Sequence, residues 1–278
     1  MNQLTQPNFI KDLFRHYQLK PKDYMGQNFL VDEIALDDIV SAADLKKTDI
    51  VVEVGPGVGV LTQQLAQRAG QVISIEKDRT LLDVLDLNLK EYQNVKVINQ
   101  DVLRVDLGKL VKDPYKVVAN IPYYLTSHLF QFFLAQENKP QLMVLLVQKE
   151  VGERVTAKPG EMSLLAVSVQ LFAKPVMLQI VDRNSFWPSP KVDSVILKLT
   201  PHEIRPEIDD EKLFFRIVKV GFAGKRKQLH NNLSNGLKLN TTDVYSLLET
   251  VKIDPKSRAQ DLSLQDWINL CEAYKKIT

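Results

Sequence analysis

Ile50-Val51-Val52-Glu53-Val54-Gly55-Pro56-Gly57-Val58-Gly59 is the stretch on which the fold turns. Its first five residues are mostly β-branched and predict a short buried strand. A glycine turn follows at once, and residues Val60 to Gly70 predict a helix. Strand, glycine turn and helix open a doubly wound sheet, where glycines let a ligand approach the backbone at the carboxyl edge. A second strand over Gln71–Ile75 ends in Glu76, 21 residues after Gly55. An acid at that place can accept from two ribose hydroxyls, so turn and acid together point to an adenosyl-type ligand. The turn lacks a following Gly-x-x-Gly helix start, which argues against a dinucleotide. No Gly-Lys-Ser/Thr follows a strand, which argues against triphosphate hydrolysis.

Outward from this unit, the same edge keeps collecting polar groups. A third strand over Val95–Asn99 precedes Asp101, and a fourth over Tyr115–Ala119 delivers Asn120-Ile121-Pro122-Tyr123. Asn120 brings a side-chain carbonyl, Pro122 a fixed backbone and Tyr123 a flat ring. That set suits gripping the exocyclic amine of a heterocycle while stacking on its face, and it equally describes a common Asn-x-Pro turn. A helix capped by Thr126 or Ser127 reaches about Gln136, and Leu142–Val147 is a fifth buried strand. Residues 148–155 predict a helix with one charged face. Met162–Ala173 is apolar and fits helix or strand, and Pro175–Val181 and Asp193–Leu199 are further strands.

Upstream, residues 8–18 and 32–43 predict amphipathic helices, and Gly26-Gln27-Asn28-Phe29-Leu30 between them serves either as a capping turn or as a lid over a ligand. Phe186-Trp187-Pro188-Ser189-Pro190 sets two aromatics against two prolines, as a loop anchor or as a second stacking wall. Pro201–Glu207 has prolines, charges and no periodicity, which places a domain boundary there, dividing 1–203 from 204–278. The second part reads as helical throughout. From Lys219 to Lys238 it carries five basic residues and no acid, so phosphate contact rivals a merely solvated face.

Composition bounds the possibilities. The chain has 278 residues, 45% hydrophobic and 25% charged, with a net charge of +2, so any nucleic-acid surface must be local. The single cysteine, Cys271, excludes an internal disulfide and has no metal-ligand spacing, and it fits a reducing cytoplasm. No metal site is expected. The longest apolar run, Leu142–Val147, is far too short to span a membrane, and residues 1–11 lack the apolar core of a secretion signal.

Six segments in order carry a resemblance: Gly26-Gln27-Asn28-Phe29-Leu30, Val52-Glu53-Val54-Gly55-Pro56-Gly57, Asn120-Ile121-Pro122-Tyr123, Gln148-Lys149-Glu150-Val151, Phe186-x-Pro188-x-Pro190-Lys191-Val192-Asp193-Ser194, and Lys225-Arg226-Lys227-x-Leu229-x-Asn231-Asn232-Leu233. Over nearly its full length the chain resembles the KsgA family of small-subunit ribosomal RNA adenine N6,N6-dimethyltransferases. The resemblance implies an α/β fold: a Rossmann-like class I methyltransferase domain and a small C-terminal all-helical domain that binds RNA. It implies S-adenosylmethionine as cofactor, held by Asn28, Leu30, Gly55, Gly57, Glu76, Lys77, Asp101, Val102 and Asn120. Asn120, Ile121, Pro122 and Tyr123 would be the catalytic set, Tyr123 and Phe186 would stack the base, and Lys191, Lys225, Arg226 and Lys227 would meet RNA.

The implied substrate is a pair of adjacent adenosines in a hairpin near the 3′ end of small-subunit rRNA. The implied partner is the immature small ribosomal subunit, met by a cytoplasmic monomer. Two rivals remain: an erythromycin-resistance type methylase of large-subunit rRNA, and a ribosome-assembly checkpoint factor that needs no catalysis. The chain departs from the family's common Tyr-Gly-x-Leu-Ser at Glu161-Met162-Ser163-Leu164-Leu165-Ala166, and it has Tyr124 where Asn is frequent.

Overall fold

The computed structural model describes residues 2–204 and 206–277. They form two compact units, Met1–Gly152 with Lys174–Pro201, and Glu153–Ala173 with His202–Thr278. The second unit is therefore discontinuous. One of its edges, at His202, falls in the Pro201–Glu207 stretch, while the segment 153–173 lies inside the range 1–203 read from the sequence as the first domain. The reason is local: helix periodicity runs through Gly152 without interruption, so nothing in the pattern marks a crossing.

In chain order the strands are β1 (Phe29–Leu30), β2 (Ile50–Val54), β3 (Gln71–Glu76), β4 (Val95–Asn99), β5 (Tyr115–Asn120), β6 (Leu142–Gln148), β7 (Ala173–Val181), β8 (Phe186–Trp187) and β9 (Ser194–Pro201). Helices of the first unit are α1 (Pro7–His16), α2 (Glu33–Ala42), α3 (Val60–Arg68), α4 (Leu82–Leu89), α5 (Leu107–Leu110) and α6 (Thr126–Leu134), with α7 (Lys149–Val155) beginning there. The main sheet has the order β4-β3-β2-β5-β6-β9-β7. Its first five strands are mutually parallel, and β9 runs antiparallel to β6. Strand order reverses between β2 and β5, and a ligand crevice lies at such a switch point, outside the carboxyl ends. Gly55 and Asn120 leave the sheet at that place.

Burial explains the strands. In β6 the six residues Leu142–Val147 are all buried, as a sheet covered on both faces requires. A cluster containing Ile10, Phe14, Leu36, Ile39, Leu61, Leu65, Val118 and Val144 joins α1, α2 and α3 to the sheet. The Phe14 ring meets Phe29 and Trp187 edge-on, at centroid distances of 5.2 and 5.3 Å. This aromatic group seats a two-stranded antiparallel ribbon, in which Phe29 pairs with Trp187 and Leu30 with Phe186. The ribbon is further pinned by Ser185, whose hydroxyl donates to the α2 cap Asp32 at 2.7 Å.

The second unit contains α8 (Leu164–Gln170), α9 (Glu211–Gly221), α10 (Leu229–Leu237), α11 (Thr241–Thr250) and α12 (Leu264–Ile277). Residues 162–173, open between helix and strand on sequence, are resolved by Ser163, whose hydroxyl caps the Ala166 amide at 3.1 Å and starts α8. Trp267, fully buried, fills the space above Gly221, where any Cβ would collide with its ring. Asn232 donates to the carbonyls of Gly221 and Gly224 and so shapes the loop between α9 and α10. Lys225, Arg226 and Lys227 sit in that loop with exposed side chains, outside any helix.

Candidate active site

The β2–α3 turn is a run of left-handed glycines: Gly55, Gly57 and Gly59 have φ of 68°, 62° and 92°. At Gly57 an added Cβ would also lie 3.1 Å from the Phe29 ring, so the turn is both conformationally and sterically reserved for glycine. Around it opens a cleft lined by Asn28, Leu30, Gly55, Gly57, Glu76, Lys77, Asp101, Val102 and the tetrad Asn120–Tyr123. All nine residues expected to hold a cofactor thus border one cavity in the first unit.

Within the tetrad, the Asn120 amide donates through Nδ2 to the Asn28 carbonyl at 3.1 Å. That bond sets the amide's orientation, leaving Oδ1 as the acceptor turned away from Asn28. Tyr123 is held at its far end: its hydroxyl and that of Ser194 share a hydrogen bond of 2.9 Å, and its carbonyl accepts from Thr126. Both functional side chains of the tetrad are therefore fixed by neighbours rather than free to search.

The acids divide by environment. The Asp101 carboxylate pairs with Lys77 at 2.9 Å and caps the Leu103 amide at 3.1 Å; the Lys77 bond above all holds its pKa below the ordinary range. Glu76 is buried; its Oε2 accepts from the Gly57 amide at 3.3 Å and its Oε1 from the Asp78 amide at 2.7 Å. Burial outweighs those bonds and pushes its pKa up to about 7. Glu53, also buried, accepts through Oε2 from Thr62 and Ser74, both at 2.7 Å. Its Oε1 has no partner among the described residues, and burial raises its pKa to about 7 as well.

These two acids set a pH dependence. Each binds its proton more tightly folded than unfolded, so their stabilising contribution is complete below the ordinary value of 4.5 and is lost as pH rises through about 7. The unliganded protein is expected to lose on the order of 5 kcal/mol between pH 5 and 8, about half of it from each acid. Melting curves across that range check it, and Glu53→Gln should roughly halve the slope; a flat wild-type profile would contradict the account. Asp101, with its depressed pKa, acts in the opposite sense and only at lower pH.

Other expected residues stand elsewhere. Phe186 is 4% exposed, packs in the apolar cluster through the β1–β8 ribbon and does not line the cleft. Lys191 is exposed in the first unit, and Lys225, Arg226 and Lys227 belong to the second. The sequence reading gave no role to Glu53, Asp78, Ser194 or Tyr124, of which Glu53 and Tyr124 line the cleft, as Gln27 does. Glu53 carries a signal, as the one charge inside an apolar strand, and Ser194 closes one of the family's segments; Asp78 carries none.

A mixed, mostly parallel sheet with an acid-ribbed cleft at its switch point and a rigid Asn-Ile-Pro-Tyr edge defines a Rossmann-like class I methyltransferase. The model of the family described as ribosomal RNA adenine dimethylase matches residues 17–276, and the chain belongs to that family. It is 43% identical over 269 residues to a protein of Dehalococcoides mccartyi named ribosomal RNA small subunit methyltransferase A, covering 95% of this chain and 92% of the relative. A protein of the same name from Lactiplantibacillus plantarum is 40% identical, over 97% of this chain and 95% of the relative. Among solved structures, a dimethyladenosine transferase from Plasmodium falciparum superposes with a TM-score of 0.75 at 28% identity, covering 89% of this chain and 97% of that one. The 23S rRNA methyltransferase ErmE superposes at 0.73, also at 28% identity, covering 89% of this chain and all of the other.

Proposed function

We propose that this chain transfers methyl groups from S-adenosylmethionine to the N6 amines of two adjacent adenosines in a hairpin near the 3′ end of small-subunit rRNA, two to each. The observation that carries the reading is the Asn120 amide, oriented by Asn28 so that its Oδ1 is available to an amine at the edge of the cleft. Identity of 39–43% to relatives named for the small subunit favours that substrate over large-subunit rRNA.

The cleft fits the proposed cofactor on its own chemistry. A sulfonium amino acid is cationic, and the orphan Oε1 of Glu53 is a buried acceptor in the cleft wall. Glu76 would hold the ribose and Asp101, braced by Lys77, the adenine amine; Gly55 and Gly57 let the ligand lie against the backbone, and Asn28, Leu30 and Val102 close the sides. When bound, the cofactor supplies an activated methyl group. An adenine N6 lone pair is delocalised into the ring, so the chain's task is to position it. Asn120 Oδ1 and the Ile121 carbonyl accept from the amine and favour a more tetrahedral nitrogen. Pro122 fixes the direction of the turn, and Tyr123 stacks the extruded base, a contact worth roughly 1–3 kcal/mol. Phe186 would meet the other face only if the β1–β8 ribbon yields. Positioning and electrostatics replace a general base.

Lys191, Lys225, Arg226 and Lys227 are assigned to rRNA phosphates, on an immature small subunit met by a monomer in the cytoplasm. Labelled methyl transfer onto unmethylated small subunits, free rRNA and large subunits in parallel tests the reading. Label is expected on small-subunit adenosines as dimethyladenosine; label on large subunits alone would give the protein to the other rRNA.

A further inference from the structure

Residues 22–28 form one wall of the cleft, through Met25, Gly26, Gln27 and Asn28. This wall has almost no structure of its own: a single 3-10 turn, Asp23–Met25, with no buried residue. No residue from 15 to 28 is buried, and Tyr24 is 80% exposed. Apolar packing therefore does not hold the wall in place, and polar bonds must. Among the described residues, those from 22–28 to the rest of the unit converge on two places. One is the Asn120 amide. The other is Asp78, two residues beyond Glu76, with the neighbouring Thr80 hydroxyl, which also accepts from the Lys22 ammonium at 3.0 Å.

Asp78 is 4% exposed and fully engaged. Its Oδ1 takes the Lys22 ammonium at 2.6 Å together with the Thr80 amide and hydroxyl, and its Oδ2 takes the Gln27 side-chain amide at 2.7 Å. Gln27 in turn accepts from the Lys22 backbone amide at 2.8 Å, which closes a ring of bonds across the turn. The Asp78 amide donates to Glu76. One residue thus grips the wall with its side chain and orients the opposite side of the cleft with its backbone.

We infer that Asp78 is a positioning residue: it latches the 22–28 wall over the cofactor site, and so controls how long the adenosyl ligand stays. The inference rests on the proposed cofactor. A latch of this kind acts on ligand escape more than on the transfer step, because none of its atoms belongs to the Asn120–Tyr123 edge. It also makes the wall a gate whose release needs the breaking of an ion pair and a charge-assisted amide bond together.

The experiment measures binding and release of S-adenosylhomocysteine by the full chain, and hydrogen exchange of amides 23–28. Asp78→Asn turns an NH2 toward the Gln27 NH2 and removes the charge facing Lys22. Dissociation is expected to speed up about tenfold, with KM for the methyl donor raised in step and kcat within about twofold. Amides 23–28 should exchange faster. Gln27→Ala opens the same bond without touching the buried acid, and should give a smaller change in the same direction. Asp78→Asn with Gln27→Glu restores donor facing acceptor and should recover most of the loss, which a merely structural role would not predict. Unchanged release in both single variants, or no recovery in the double variant, overturns the latch. A wild-type chain that fails to bind S-adenosylhomocysteine overturns the cofactor reading itself, and the latch with it.

Discussion

Replacing Asn120 by alanine is expected to lower methyl transfer by about three orders of magnitude. As the amine attacks, its nitrogen gains positive charge, and the carbonyl oxygens that accept its hydrogens are the groups placed to stabilise that charge. Asn120→Ala deletes one of them outright. It also deletes the bond to the Asn28 carbonyl, so cofactor binding should weaken, though only a few-fold, since the Asp78 side of the wall is untouched. Asn120→Asp is a sharper probe. It keeps the acceptor facing the base but sets a second oxygen against the Asn28 carbonyl, and activity should fall between wild type and alanine. Single-turnover transfer of a labelled methyl group, with calorimetry for the cofactor product, separates the two effects. Lost cofactor binding with normal turnover at saturation would remove Asn120 from the chemistry.

Glu76→Gln is expected to raise the dissociation constant for S-adenosylhomocysteine about a hundredfold. Both carboxylate oxygens already accept a backbone amide, from Gly57 and Asp78. A glutamine must turn its NH2 toward one of those donors, so the turn and the ribose acceptors are damaged together. Its effect on stability should have the opposite sign. The buried carboxyl titrates near pH 7, and removing that titration should roughly halve the loss of stability of the empty protein between pH 6 and 8, leaving the share that belongs to Glu53. Calorimetry beside melting curves at both pH values reads the pair; a dissociation constant within threefold of wild type would remove Glu76 from the ribose site.

The extent to which the molecule was legible follows from how far apart its cooperating residues lie. Strands such as Ile50–Val54 and Leu142–Val147 announce themselves by local apolarity, and the glycine turn by composition. Their ends then fall on one edge because parallel strands in such a sheet all point the same way. The cleft-lining set was therefore readable before any coordinate. What was not readable depends on side-chain partners without a local pattern. Asp32 and Ser185 meet across 153 residues to pin the ribbon, and two-residue strands such as Phe29–Leu30 are too short for any periodicity. Phe186 shows the cost: an aromatic ahead of two prolines suggests a stacking wall, yet its ring is packed in the core. The loop 222–228, which interrupts a stretch that reads as helical, is decided by the Asn232 amide and by the Trp267 ring over Gly221.

The discontinuity of the second unit has a consequence in time. The amides of Gly160 and Met162 both donate to the Gln260 carbonyl, and the Phe172 ring stacks on Phe215 at 6.4 Å. A chain made from its N-terminus at about 5–20 residues per second presents residues 153–173 several seconds before Gln260 exists. Until Glu211–Gly221 emerges about 40 residues later, the apolar face of Leu164–Gln170 has no later helix of its own unit to cover it, while the strands that follow, Lys174 to Pro201, are needed at once by the other unit. Synthesis thus asks the growing protein to complete its sheet around a segment still waiting for partners. Substitutions in α8 are the ones expected to lower yield out of proportion to their effect on the finished molecule.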